Sequence, residues 1–221
     1  MRMNKQASTA MWTAAALAAS LLLGACGSDG GSDGKIDGAD DGTKKTSKSP
    51  SPSQSSDTPG HKAPEDIKLA KDAKNVFEDT QTGSPEKDAV LADNQARINA
   101  IDRVITTGKD PNLVKVYAKG QSLLASNKYI LEAKKDQQSW AGVTRYYDQR
   151  VELESDTVAQ IYFCIDESKA KNKLLKTGKL EPNNGGDLNY IFTRLRMERN
   201  KDGVWQATSG HETAKAKKCM E

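Results

Sequence analysis

The feature that most constrains this chain is a change of period at Trp140. Between Ser84 and Gln138 apolar residues recur every three or four positions; beyond Val143 they alternate one by one. The first spacing buries one face of a helix and the second buries one face of a sheet. The chain is therefore expected to build helices first and antiparallel strands afterwards, an α+β domain with helices packed on one face of a curved sheet of about four strands.

The helical half carries its own punctuation. Ser84-Pro85-Glu86-Lys87 reads as an N-cap, a proline at the first helical position and acid in the first turn. Val90, Leu91, Ile98, Ile101, Val104 and Ile105 then make an apolar stripe that Gly108 stops. Asp110-Pro111 opens a second, short helix through Tyr117 and Ala118, and a third carries Leu123, Leu124, Tyr129 or Ile130, and Leu131. The upstream stretch IKLAKDAKNVFEDTQTG fits either a helix or, at NVFEDT, an extended segment.

In the alternating half, Val143, Tyr147, Val151 and Leu153 are expected mostly on one face. Ser155-Asp156 turns the chain, and Ala159, Ile161, Phe163 and Ile165 face opposite to Val158, Tyr162 and Cys164. A second hairpin pairs NYIFTRLRMER with VWQATSGHE through an Asp202-Gly203 turn. Between the hairpins, ESKAKNKLLKTGKLEPNNGGD reads as a polar excursion, a short helical or irregular insert followed by a loop.

The beginning of the chain says where such a domain would reside. Arg2 and Lys5 give a basic head, Thr13 to Leu23 is apolar, and residues 1–25 contain no acid. That run is shorter than the roughly 20 residues a membrane-spanning helix needs, and it fits the apolar part of a secretory signal. Leu23-Gly24-Ala25-Cys26 resembles the lipobox of bacterial lipoproteins. The resemblance implies cleavage between Ala25 and Cys26, diacylglycerol on the Cys26 thiol, and localisation at the extracytoplasmic face of the cell membrane. Residues 26–63 are Gly, Ser, Asp, Lys and Pro with Ile36 as the lone large aliphatic, too little apolar area to offset ordering entropy, so a disordered tether is expected. The organisation is then residues 1–25 signal, 26–63 tether, and 64–221 a single domain.

Removing Arg2 and Lys5 takes the formal charge from +3 to near neutral. With no basic stripe interleaved with aromatics, nucleic acid is not an expected partner. With Cys26 assigned to lipid, Cys164 and Cys219 remain, in a compartment where disulfides persist. A bridge between them is favoured over two free thiols, because KAKKCME is too polar to bury Cys219 as a core residue. The domain holds a single histidine, His211, and no close cysteine pair, so neither a metal nor a cofactor is expected.

Three helices followed by a curved antiparallel sheet resembles the NTF2-like (cystatin-like, cone-shaped) superfamily. More closely, residues 64–219 resemble a set of actinobacterial lipoproteins of unknown role, through FEDTQTGSPEKDAVLADN, SWAGVTRYYDQRVELESDTVAQIYFCIDESK, TGKLEP and TRLRMERNKDGVWQATSGHETAKAKKC, with the two cysteines at the matching spacing. Where that set commonly reads TGD, this chain reads Thr82-Gly83-Ser84. The fold implied hosts isomerases, dehydratases, cyclases and plain binding modules, so it does not choose an activity.

An enzyme of this kind would draw an acid–base group from Asp148, Asp166, Tyr146, Tyr147 or His211, yet none stands in a catalytic spacing, and Asp166 suits a capping role. Of the strand aromatics, Trp140, Tyr147, Tyr162 and Phe192 are the candidates to wall an apolar pocket for a small amphipathic ligand. The leading expectation is a non-enzymatic binding or accessory module meeting a small ligand or an envelope protein. The alternative is a small cofactor-independent lyase or isomerase, which would show a buried carboxylate or histidine facing a cavity.

Overall fold

The computed structural model describes residue 61 and residues 64–220. The expected signal, the lipidation site Cys26 and the tether apart from His61 lie outside the described residues. The helices are α1 (Pro85–Thr107), α2 (Val114–Tyr117) and α3 (Gly120–Lys135). The strands are β1 (Ala73–Phe77), β2 (Gln138–Ser155), β3 (Val158–Asp166), β4 (Ala170–Leu174), β5 (Leu180–Glu181), β6 (Tyr190–Arg199) and β7 (Trp205–Ala214).

The ends of α1 are where the residues place them. Ser84 takes extended backbone and its hydroxyl accepts from Lys87 N–H. Gly108 closes the helix in the left-handed conformation at φ 72°, its N–H bonded to the Val104 carbonyl. Upstream, Asp88 accepts from both the backbone N–H and the hydroxyl of Thr82, at 2.7 Å each, so the Thr82-Gly83-Ser84 turn is tied to the first helical turn.

The sheet has seven strands where about four are expected, in the order β5-β4-β2-β3-β6-β7, with β1 paired in parallel to β2. Three strands account for the difference. NVF is extended and forms the end of β1. The polar stretch AKNKL is β4, running antiparallel to the first part of β2 almost where β3 leaves off: Arg145 faces Asp166 and Gly142 faces Ala170. Leu180–Glu181 pairs with it as a short edge. Lysines and asparagine on a strand with one half-open face carry no alternating apolar signal, which is why the insert reads as irregular.

A second correction concerns the faces of β2. Tyr147 pairs with Cys164 and Arg150 with Tyr162, so β2 spends three residues where β3 spends two. This β-bulge holds Asp148 at φ 49° and exchanges inside for outside midway along the strand. Before it Tyr146, not Tyr147, points inward; after it Val151 does. The inner face then carries Val151, Ile161, Phe163, Ile165, Ile191, Leu195 and Met197 against Val90, Leu91 and Ile98 of α1. A second apolar cluster joins Ala100, Ile101 and Ile105 to Val114, Tyr117, Ala133 and Trp140.

On the outer face, Tyr147, Cys164, Ala216 and Cys219 form a third small cluster. Cys164 and Cys219 are disulfide-bonded with α-carbons 5.5 Å apart, and the tail after β7 folds back over the sheet to make the bond. Both cysteines are fully buried, and the Tyr147 hydroxyl donates to the Cys219 carbonyl.

Candidate functional site

The helix α1 is buried around much of its circumference, and four of its polar residues face inward: Asp93, Asn94, Arg97 and Asp102. Asn94 and Arg97 occupy the very spacing of the apolar stripe, 90-94-97-101, so they lie where the sheet would otherwise meet aliphatic side chains.

Asp102 is 7% exposed. One carboxylate oxygen accepts from Asn75 Nδ2 of β1 at 2.7 Å and the other from the indole N–H of Trp140 at 3.3 Å. Asn75 Nδ2 is also 2.9 Å from Asn99 Oδ1, while Asn75 Oδ1 has no partner. Burial pushes the Asp102 carboxyl above its ordinary value of 3.8; the Asn75 hydrogen bond pulls against this and the charge of Glu167 adds to it.

Around this carboxyl stand two phenols. Tyr146 stacks on Phe77 at 4.8 Å and meets Phe163 at 6.2 Å, and burial pushes its hydroxyl well above 10, assisted by the charges of Asp102 and Glu167. Tyr129 of α3 is raised by burial in the same way, with Asp102 and Glu167 again contributing. On the other side, burial lowers the Arg97 guanidinium while Glu212, Tyr146 and Asp102 hold it up. Glu212 stands opposite Thr193 in the β6–β7 ladder, on the inner face. The result is one neighbourhood in which Asp102, Arg97, Tyr129, Tyr146 and Glu167 act on one another, with exposed Glu212 of β7 reaching Arg97 from its edge.

Glu167, 5% exposed, also walls a cavity of about 490 Å³ together with Glu181, Asn183, Leu188, Asn189 and Ala214. Its backbone fixes that wall: Glu167 N–H donates to the Asn189 carbonyl at 3.0 Å, and Asn183 Nδ2 donates to the Glu167 carbonyl at 2.7 Å. Glu167 thus belongs both to this wall and to the groups whose charge acts on Asp102 and Tyr146.

The aromatics expected to share a pocket are divided by the sheet. Trp140 is inside, 3% exposed and bonded to Asp102. Tyr147, Tyr162 and Phe192 are outside: Tyr147 packs on the disulfide, and Tyr162 stacks on Phe192 at 6.4 Å with its hydroxyl 3.1 Å from Glu152. The bulge explains Tyr147, and alternation along β3 and β6 places Tyr162 and Phe192. Of the other acid–base candidates, Asp148 sits in the bulge bonded to Arg150, Asp166 accepts from Ser168 N–H at 2.8 Å as a cap, and His211 is exposed on β7. Tyr146 alone joins the interior cluster. Asp102, Arg97 and Glu167 are the residues that sequence reasoning missed; polar side chains at stripe spacing on α1 were the available signal for Arg97.

His61, placed by sequence in the tether, lies against the domain with Nε2 3.0 Å from Asp93 Oδ2, which also accepts from Trp205 N–H at 2.8 Å. Among the described residues no group of three or more His, Cys, Asp or Glu could hold a metal ion, and no helix is long and apolar enough to cross a membrane.

No family model matches this chain, and no curated protein matches it. Solved structures do. A ketosteroid isomerase-like protein from Erwinia carotovora atroseptica SCRI1043 is similar at 14% identity, covering 57% of this chain and 93% of that one, with a TM-score of 0.39. Hexachlorocyclohexane dehydrochlorinase LinA-type3 from Novosphingobium barchaimii LL02 is similar at 10% identity over 58% of this chain and 88% of its own, with a TM-score of 0.40. The intermembrane space region of the chloroplast protein ARC6 is similar at 14% identity over 57% and 97%, with a TM-score of 0.35. These are likenesses of fold alone, helices on a curled antiparallel sheet.

Proposed function

We propose that this chain is a lipid-anchored extracytoplasmic module that takes a small polar organic molecule between α1 and the inner face of its sheet. The observation that supports the reading is the burial of Asp102 and Arg97 on one helix with no ion pair between them. A buried charge without a close counter-ion costs several kcal/mol, and a helix that only packed would carry aliphatic side chains at such positions. Ionisable groups with perturbed pKa values gathered behind a cavity are the physical mark of a binding site. The anchor belongs to the same proposal and is supported by the Leu23-Gly24-Ala25-Cys26 box and the composition of residues 27–63.

A second reading, a cofactor-independent lyase or isomerase, is favoured by one observation. Burial pushes the carboxyl of Asp102 above its usual range, and a buried acid raised in this way can give or take a proton at a bound substrate. Mass spectrometry of small molecules released on denaturing the purified protein tests both. A polar molecule released in near-stoichiometric amount supports the binding module, and release of none counts against it. A pair of species related by isomerisation or elimination from the wild type, replaced by one species from Asp102→Asn, would establish the enzyme instead.

A further inference from the structure

Three hydrogen-bonding groups inside the half-barrel are left unused. The Arg97 guanidinium spends its Nε on Asn94 Oδ1 at 3.0 Å, and its terminal nitrogens have no partner among the described residues. That bond fixes the orientation of the Asn94 amide, so Nδ2 is the atom directed elsewhere; it is buried without a partner in a residue that is 0% exposed. The third is Thr193 Oγ1, also unpartnered, in a residue 1% exposed on the inner face of β6. Thr193 is the cross-strand neighbour of Glu212 and lies between Ile191 and Leu195 on the face of β6 that packs with α1, the helix that carries Asn94 and Arg97.

Each of these groups donates. A guanidinium presents paired N–H groups in a fork that fits a carboxylate with two parallel bonds, an amide nitrogen adds N–H donors, and a threonine hydroxyl can turn to donate. Left empty, the Asn94 and Thr193 groups would be costly, because a buried donor without an acceptor loses its hydration for nothing. We infer that Arg97, Asn94 and Thr193 form the subsite for a carboxylate group of the bound molecule. This deepens the proposed function and rests on its reading that the half-barrel takes a small polar ligand. The carboxylate would lie along the α1 stripe next to Tyr146, with the rest of the molecule extending towards Asp102 and the Glu167 wall.

The test uses ¹⁹F NMR of the purified full chain with three probes of one shape: 4-fluorobenzoate, 4-fluorobenzamide and 4-fluorobenzylamine. The inference expects saturable binding of 4-fluorobenzoate and affinity lower by about ten- to a hundredfold for the amide, since a charge-assisted pair is replaced by a neutral one. Arg97→Gln is expected to remove the preference for the carboxylate, and Thr193→Val to weaken 4-fluorobenzoate several-fold while leaving the amide less affected. Should Arg97→Gln fail to fold by circular dichroism, Thr193→Val and the wild-type ranking of the probes still decide. If the amide or the amine binds as well as the carboxylate, the carboxylate inference is overturned while the interior ligand site stands. If none of the three binds at millimolar concentration, this inference is overturned; the small-molecule release experiment then decides the interior site separately.

Discussion

The indole N–H of Trp140 points at the carboxylate of Asp102, 3.3 Å away and 38 residues distant in sequence. The contact ties the first residues of β2 to the last turns of α1 and places an acid where water has been excluded. Its pH consequence has a definite sign. Burial raises the folded-state pKa of Asp102 above its ordinary value of 3.8, so between the two values the folded protein binds more protons than the unfolded chain. Stability is therefore full below the ordinary value and is lost as pH rises through the raised one. Asp102→Asn is expected to remove this slope, so that its stability gains on that of the wild type as pH rises towards neutrality. Denaturant melts of both proteins between pH 3 and pH 8 measure it; parallel curves for the two would show that Asp102 is ionised in the fold.

The Cys164–Cys219 bond closes a loop spanning 55 positions and holds a tail whose neighbours are lysines. In the chain-entropy treatment, releasing a loop of that length costs about 4 kcal/mol, acting through the unfolded state. The double replacement Cys164→Ala with Cys219→Ala should lower the denaturant midpoint accordingly, and reductant should lower that of the wild type to the same place. A midpoint unmoved by reductant, with full reduction shown by thiol titration, would contradict this.

How far these features were legible in the sequence depends on whether the signal was local. Ser84 and Gly108 bound α1 because capping chemistry is settled within a turn, and the Asp202-Gly203 hairpin is a local solution too. The pairing of Cys164 with Cys219 could be reasoned out because the tail had nothing else to hold it. Strand faces beyond Asp148 could not: alternation presumes an unbroken ladder, and one extra residue at φ 49° reverses it, carrying Tyr147 outside and leaving Tyr146 within. Asp102 was hidden for a different reason. A charged residue in an amphipathic helix reads as part of the wet face, and only β1, drawn alongside β2, together with Trp140, covers it. Their contact with α1 is a tertiary fact that no short window contains.

Anchoring is open to a direct measurement. Two or more acyl chains hold a protein stably to a membrane, while an unacylated chain has no such attachment. Cys26→Ser should abolish acylation and release the protein from the membrane fraction, with the Cys164–Cys219 bond and the circular dichroism of the domain unchanged. The expected loss of membrane-bound protein is nearly complete. If the variant sediments with membranes as the wild type does, the lipobox is not the anchor.

Gly142 is the residue on which three strands converge. It faces Ala73 of β1 and Ala170 of β4, and its N–H donates to the Asp72 carbonyl at 2.7 Å. Its φ is 98°, and a Cβ there would stand 2.3 Å from the Lys169 carbonyl oxygen, a backbone atom that cannot swing aside. Gly142→Ala must therefore either strain its own backbone or push the 167–170 crossover away from β2. The expected cost is about 3 kcal/mol, at the upper end for overpacking because both penalties act together. The damage should also be directional. Trp140 is two residues away on the same strand, so a displaced β2 weakens its hold on Asp102 and lets water reach the carboxyl. In the variant the pH-dependent loss of stability assigned to Asp102 should shrink, while Asp102→Asn in the Gly142→Ala background should gain less than it does in the wild type. A double-mutant cycle by denaturant melting reads this coupling directly; strictly additive effects would mean that the strand junction and the buried acid are independent.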